Sequence, residues 1–254
     1  MTALFTDGEL DQYRTDGFVM VRGLVEQADL RRFDSRFLAI VNGDAPVTGP
    51  MNVMRDVMVV KGAVEPQSPL HAVNKLLRFE DDPELFEYVR LPGLLSRVHE
   101  LVGDDVWTIA TNVFNKPPFV DGRHPFHQDL HYFRIRPAEG IVGVWTAISE
   151  TTRENGCLAV IPGSHRGELL QHGDPDWEYV NRGFFGVEDA ADSERHYVEM
   201  QPGDTLFFHP LLLHGSGHNR SGDFRRAISA HFASGTCEAP KQNWRDADFV
   251  RHVG

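Results

Sequence analysis

The sequence predicts a mainly β protein, an antiparallel sandwich or barrel of jelly-roll type with the helices of the N-terminal third packed on it. Three observations point there. From about residue 105 onward, short segments rich in β-branched and aromatic residues follow one another with turn chemistry between them and no helical periodicity. Before that point, apolar residues recur at helical spacing. The chain has 254 residues, 41% of them hydrophobic, which is enough to bury one sizeable core. A single domain over 1–254 follows, with a mostly helical part at 1–104, a jelly-roll core at 105–237 and a short polar tail at 238–254.

The elements can be justified in order. Thr6-Asp7-Gly8-Glu9 has the spacing of a capping box and starts a short helix that ends near Gly17. Phe18-Val19-Met20-Val21 reads as a strand. Leu30, Phe33, Phe37 and Val41 put an apolar stripe on a helix over 27–42, stopped near Gly43. Pro92 opens another helix, marked by Leu94, Leu95, Val98, Leu101 and Val102. Strands are expected at 106–114, 131–136, 141–149, 157–161, 196–200, 205–209 and 225–233. Asn155-Gly156 is a hairpin signal and Pro202-Gly203-Asp204 a turn signal. The polar loop at 164–195 is long enough to act as a lid, with Phe184 and Phe185 as a substrate wall or a packed cluster.

Charge and cysteine usage narrow the function. A formal net charge of −12 argues against nucleic acid as a main partner, because duplex binding needs clustered cations against phosphate. A small anionic ligand held by a few local cations remains compatible with it. Cys157 and Cys237 stand far apart and read as ordinary thiols in a reducing compartment. No apolar stretch of about 18 residues is present, and the first residues lack the basic and apolar regions of a signal peptide. A soluble cytoplasmic protein without membrane contact is expected.

The chemistry is carried by His127-Gln128-Asp129, followed much later by His214 and then Arg225. Two imidazoles and one carboxylate on one face of a metal leave three positions open, the ligand set of non-haem Fe(II) oxygenases. An arginine after the second histidine suits a co-substrate with a carboxylate, which makes iron with 2-oxoglutarate the working hypothesis. His-x-Asp alone is weak, since His172-Gly173-Asp174 repeats it in a turn-forming segment. Residues after Pro125 look extended, and side chains two apart on a strand point to the same side, so His127 and Asp129 can reach one metal. His127 and His131 have the spacing of a zinc protease, but that site needs a helix and a Glu where Gln128 stands. His209 and His218 are rivals to His214. Residues 224–230 alternate as a strand with Arg225, Ala227 and Ser229 on one face and Arg226 on the other. Either arginine could meet a carboxylate through two parallel charged hydrogen bonds.

Longer stretches then carry a resemblance. Arg123-His-Pro-Phe-His-Gln-Asp-Leu-His-Tyr-Phe, Asn155-Gly-Cys-Leu-Ala-Val-Ile-Pro-Gly-Ser-His, Gly203-Asp-Thr-Leu-Phe-Phe-His-Pro-Leu-Leu-Leu-His-Gly-Ser-Gly and Phe224-Arg-Arg-Ala-Ile-Ser-Ala-His-Phe are similar to the phytanoyl-CoA dioxygenase family. Asn52-Val-Met-Arg-Asp-Val and Glu84-Leu-Phe-Glu-Tyr extend the likeness over about 6–237. The resemblance implies a double-stranded β-helix of cupin-like type. It implies that His127, Asp129 and His214 bind Fe(II), that Arg225 and Ser216 hold the distal carboxylate of 2-oxoglutarate, and that Lys75, Asn112 and Trp145 line the same pocket. O2 is then the second co-substrate, and the small-molecule substrate is a branched or long acyl-CoA hydroxylated next to the thioester. A natural-product intermediate undergoing hydroxylation, cyclisation or epimerisation is the alternative. Because Asp129 is present where halogenating relatives carry a small residue, oxygenation is expected. The short tail and the lack of a peroxisomal presequence again fit the cytoplasm. A binding protein with a structural metal, or a zinc hydrolase, would have no need of the Arg225 and Ser216 pair.

Overall fold

The computed structural model describes residues 4–187, 195–240 and 243–254. Helix α1 (Asp7–Asp16) begins as its sequence dictates: the Thr6 hydroxyl accepts from the Glu9 amide and the Glu9 carboxylate accepts from the Thr6 amide. Gly17 ends it in the left-handed conformation and hands the chain to β1 (Phe18–Val21). Helix α2 (Gln27–Asn42) buries Leu30, Phe33, Phe37 and Ile40 and stops at Gly43. After β2 (Asn52–Arg55), the short α3 (Val57–Val60) and β3 (Val73–Leu77) comes α4 (Pro92–Val102), whose inner face carries Leu94, Val98 and Val102.

The remaining strands are β4 (Val106–Lys116), β5 (His124–His127), β6 (Ile141–Ala147), β7 (Leu158–Val160), β8 (His196–Val198), β9 (Thr205–Phe208), β10 (His214–Ser216), β11 (Arg225–Ser234) and β12 (Arg251–His252). They form two sheets, and every strand pair in them is antiparallel. The larger runs β1-β9-β6-β11-β4-β3-β2, with β12 also pairing with β4; the smaller runs β5-β10-β7-β8. Strand neighbours far apart in sequence, such as β6 with β11 and β5 with β10, are the signature of a jelly roll. One face of the larger sheet packs Val113, Val144, Ile228 and Phe232 against the helices, in one core with Phe33, Phe37, Leu94 and Val98. The other face, with Trp145, Ala147, Leu206, Phe208 and Ala227, packs on Leu158, Val160 and Val198 of the smaller sheet. The site lies at one end of this inter-sheet layer.

Four sequence expectations differ from what is found. Besides the expected β1, the N-terminal part adds β2 and β3 to the larger sheet, and the tail contributes β12. Strands β2, β3 and β12 reach the sheet through β4, so they are stabilised by partners distant in the chain, which a local pattern does not display. Residues 131–136 form no strand. Asp129–His131 is instead a single 3-10 turn, held by the Leu130 amide on the Pro210 carbonyl, and only Arg136 makes an isolated bridge, to Glu238. Asn155-Gly156 forms a turn, with Gly156 at φ 82°, but it crosses from β6 in one sheet to β7 in the other and closes no hairpin. The 164–195 loop carries a one-turn 3-10 helix at Ser164–Arg166 and a bridge between Gly173 and Gly186; residues 188–194 of it lie outside the described residues. At Pro202-Gly203-Asp204 the expected turn is present: Gly203 has φ 94°, and an added Cβ would sit 2.4 Å from the Val25 carbonyl oxygen.

A candidate metal centre and the cavity behind it

β5 and β10 are neighbours in the smaller sheet, and their pairing sets His127 directly opposite His214. Asp129 lies two residues past the end of the strand, but Gln128 between them keeps extended dihedrals (φ −116°, ψ 126°), so the alternation that puts His127 and Asp129 on one side survives the break. His127 Nε2 is 3.2 Å from Asp129 Oδ1, and His214 Nε2 is 3.7 Å from Asp129 Oδ2. One ligand atom from each residue falls within 4.8 Å of the other two, and all three residues are buried.

The donor set fits a divalent metal. Nδ1 of His127 faces the Pro125 carbonyl at 2.8 Å and Nδ1 of His214 faces the Leu212 carbonyl at 3.0 Å. Each Nδ1 therefore carries the hydrogen and donates it, leaving the Nε2 lone pair for the metal. Burial pushes His214 down to about 4, and the neighbouring His127 adds to this, so His214 is neutral at pH 7. Burial works against the Asp129 carboxylate, but the imidazoles of His214 and His231 outweigh it and hold its carboxyl well below the usual range. Neutral imidazole and ionised carboxylate are the states a metal needs.

Behind the triad, the cavity is lined by Phe114, Trp145, Leu158, Ser216, Arg225 and Ser229. Arg225 is 2% exposed; its Nη2 donates to the Gly156 carbonyl at 2.9 Å, but its Nε is buried without a partner, as is the Ser229 hydroxyl. Burial lowers the Arg225 guanidinium to about 10, which leaves it charged at pH 7. A buried cation with an unused donor, facing a cavity, has the chemistry to take a carboxylate. Trp145 lies 5.5 Å from the Arg225 guanidinium carbon, ring face toward it. Arg226 points to the opposite face of β11, where it makes a bidentate pair with Asp34 of α2 at 2.6 and 3.0 Å. Lys75 and Asn112 are not part of the cavity lining. Lys75 sits over the rings of Phe184 and Phe114, with its pKa lowered to about 8 by burial against the opposing pull of Asp129. Asn112 pairs in register with Ser229 and Leu77.

The rival histidines are engaged elsewhere. His172 faces the Leu170 carbonyl through Nδ1 and accepts the Gln128 amide at Nε2, so neither nitrogen is open to a metal. His209 accepts the Leu211 amide, and His218 pairs with Asp121 at 3.0 Å. Sequence reasoning missed three residues. His231 Nε2 lies 2.6 Å from Asp129 Oδ2. The His124 ring is stacked between His127 (4.1 Å) and Phe184 (3.9 Å). Lys116, buried beside Arg225 and lowered well below its usual range by that burial, donates to the carbonyls of Gly122 and Gly217 at 2.6 Å each. His231 was within reach of the sequence: carrying the alternation Arg225, Ala227, Ser229 two residues further puts it on the cavity face.

Residues 13–227 match the phytanoyl-CoA dioxygenase (PhyH) family. A probable phytanoyl-CoA dioxygenase of Caenorhabditis elegans is 44% identical over 230 residues, 87% of this chain and 73% of the relative. The peroxisomal phytanoyl-CoA dioxygenase of Homo sapiens is 43% identical over 230 residues, 89% of this chain and 67% of that protein. In three dimensions the chain is similar to the non-heme alpha ketoglutarate dependent carbocyclase SnoK from nogalamycin biosynthesis, with TM-score 0.71, 15% identity and coverage of 98% and 97%. EvdO2 from Micromonospora carbonacea, solved with 2-oxoglutarate, gives TM-score 0.67 at 18% identity, covering 95% of this chain and 96% of that one. These two likenesses establish the jelly-roll fold, and the sequence match goes further: the chain belongs to the phytanoyl-CoA dioxygenase family.

Proposed function

We propose that this Fe(II)- and 2-oxoglutarate-dependent dioxygenase hydroxylates a branched or long acyl-CoA at the carbon next to the thioester. The observation that carries the reading is one cavity holding both a buried His127-Asp129-His214 triad and, behind it, the buried, half-partnered guanidinium of Arg225. When bound, Fe(II) with 2-oxoglutarate and O2 supplies an oxidant able to attack an unactivated C–H bond. His127 and His214 would hold the metal through Nε2 and Asp129 through a carboxylate oxygen. Arg225, with the Ser216 hydroxyl, would clamp the distal carboxylate of 2-oxoglutarate, and Trp145 and Leu158 would wall the co-substrate off from water. Lys75, paired with Phe114 across β3 and β4, would offer a cation toward the metal end from outside the cavity lining. Phe184, 4% exposed and stacked on His124, would close the mouth on the substrate side.

The acyl-CoA assignment draws on the relatives' activity. Both cysteines are free and buried, which supports a reducing compartment and, with the reading above, the cytoplasm. The test is succinate formation from 2-oxoglutarate with Fe(II), with and without a 3-methyl-branched acyl-CoA, followed by mass spectrometry. Succinate rising with the acyl-CoA, beside an acyl product heavier by one oxygen, is the expected result. Slow succinate that ignores the acyl-CoA would move the substrate to a natural-product intermediate and keep the chemistry.

A further inference from the structure

The geometry points to His231 as a positioning residue that fixes the Asp129 carboxylate to bind metal through one oxygen only. Asp129 offers two oxygens to the centre. Oδ1 is the one nearer His127 Nε2, at 3.2 Å, whereas Oδ2 lies 2.6 Å from His231 Nε2. At that distance, between a buried imidazole and an ionised carboxylate, Nε2 carries the hydrogen and donates it, a short charge-assisted bond. The tautomer is set by elimination: Nδ1 of His231 is buried with no partner, so placing the hydrogen there would leave the carboxylate facing a lone pair.

The ring has little freedom to let go. Phe133 packs on it at 5.1 Å and Phe208 stands edge-on at 5.8 Å. Phe208 also packs on the His214 ring at 5.0 Å, so one aromatic side chain orients a metal ligand and the partner of another. Strand β11 supplies the backbone frame. It projects Arg225, Ser229 and His231 from one face into the cavity, so the co-substrate cation and the carboxylate's partner are registered on one rigid element. With Oδ2 held by His231, a carboxylate that could otherwise close on a metal through both oxygens would offer it only one, which would leave room for the co-substrates.

This rests on His127, Asp129 and His214 being the metal ligands, and the experiment separates the two claims. Co(II) is titrated into the wild-type protein and into His231→Leu and His231→Gln, with and without 2-oxoglutarate, following the visible absorption bands; circular dichroism and a melting curve check each fold. Wild type that binds no Co(II) overturns the ligand assignment itself. With wild type binding, we expect His231→Leu to weaken Co(II) by about 10–100-fold and to shift the bands, as a carboxylate released to bind through both oxygens changes the coordination number. Glutamine keeps an N–H donor and should recover affinity to within about threefold. A Leu variant that is folded and binds like wild type overturns the inference. Gln and Leu variants equally weak overturn the hydrogen bond and leave only ring packing. Should Leu not fold, His231→Asn, too short to reach Asp129, takes its place with the same expected loss.

Discussion

Two adjacent arginines show how much depends on which face of a strand a residue occupies. Arg225 and Arg226 carry the same charge, yet one lies in the cavity with a spare buried donor and the other is locked to Asp34 outside the barrel. Replacing Arg225 with Ala should remove charged hydrogen bonds of roughly 1.5–3 kcal/mol each and raise the KM for 2-oxoglutarate by about 10–100-fold. Arg226→Ala should leave that KM alone and lower stability by about 1–2 kcal/mol, because it strands a half-buried carboxylate on α2. Steady-state kinetics with denaturant melts of both variants would decide, and reversed effects would move the co-substrate to the other face. The sequence pattern left both arginines open; alternation separates two faces but does not say which one meets the cavity. That information comes from the second sheet, which is built from residues far away in the chain.

At the level of elements, the metal ligands depend on two short strands and the turn that follows one of them. The i, i+2 spacing of His127 and Asp129 was readable as strand geometry, although the strand ends at His127. The histidine pair opposite each other on β5 and β10 was not readable, since nothing local pairs residue 127 with residue 214. The same reason hid β2, β3 and β12. Helices α1, α2 and α4 were legible almost to the residue, because caps and apolar spacing are local signals. Strand β6 has a further role: Gly143 leaves room for the Phe208 ring, and a Cβ there would come within 2.4 Å of it. Gly143→Ala should therefore push Phe208 toward His214 and His231 and weaken Co(II) binding several-fold while every ligand is retained. Unchanged Co(II) affinity would show that Phe208 yields without disturbing either ring.

For the molecule as a whole, the buried histidines govern acid stability of the metal-free protein. In the unfolded chain an imidazole protonates near 6.5, whereas burial lowers both His214 and His209 to about 4 in the fold. As pH falls through that window the unfolded chain takes up protons that the fold refuses, so stability drops, by roughly 3 kcal/mol for each imidazole over the full span. Glu80 acts in the other direction: burial raises its carboxyl to about 6, so the fold gains roughly 2 kcal/mol between there and the ordinary carboxyl range. The imidazoles outweigh it, and Tm should fall steadily from pH 6.5 to 4; a flat Tm across that range would contradict the burial of these two rings. A different consequence follows from the placement of the ligands on β5 and β10. β5 is the outer strand of the smaller sheet, only four residues long, and its pairing with β10 slips between His214 and Ser216. A metal joining the two facing histidines would rivet this weak margin shut, doing for an open sheet border what a cross-strand disulfide does elsewhere. Chelation should then speed amide hydrogen exchange at 124–127 and 214–216 while β4 and β11 stay protected, so the metal would serve as a hem for the fold as well as a reagent.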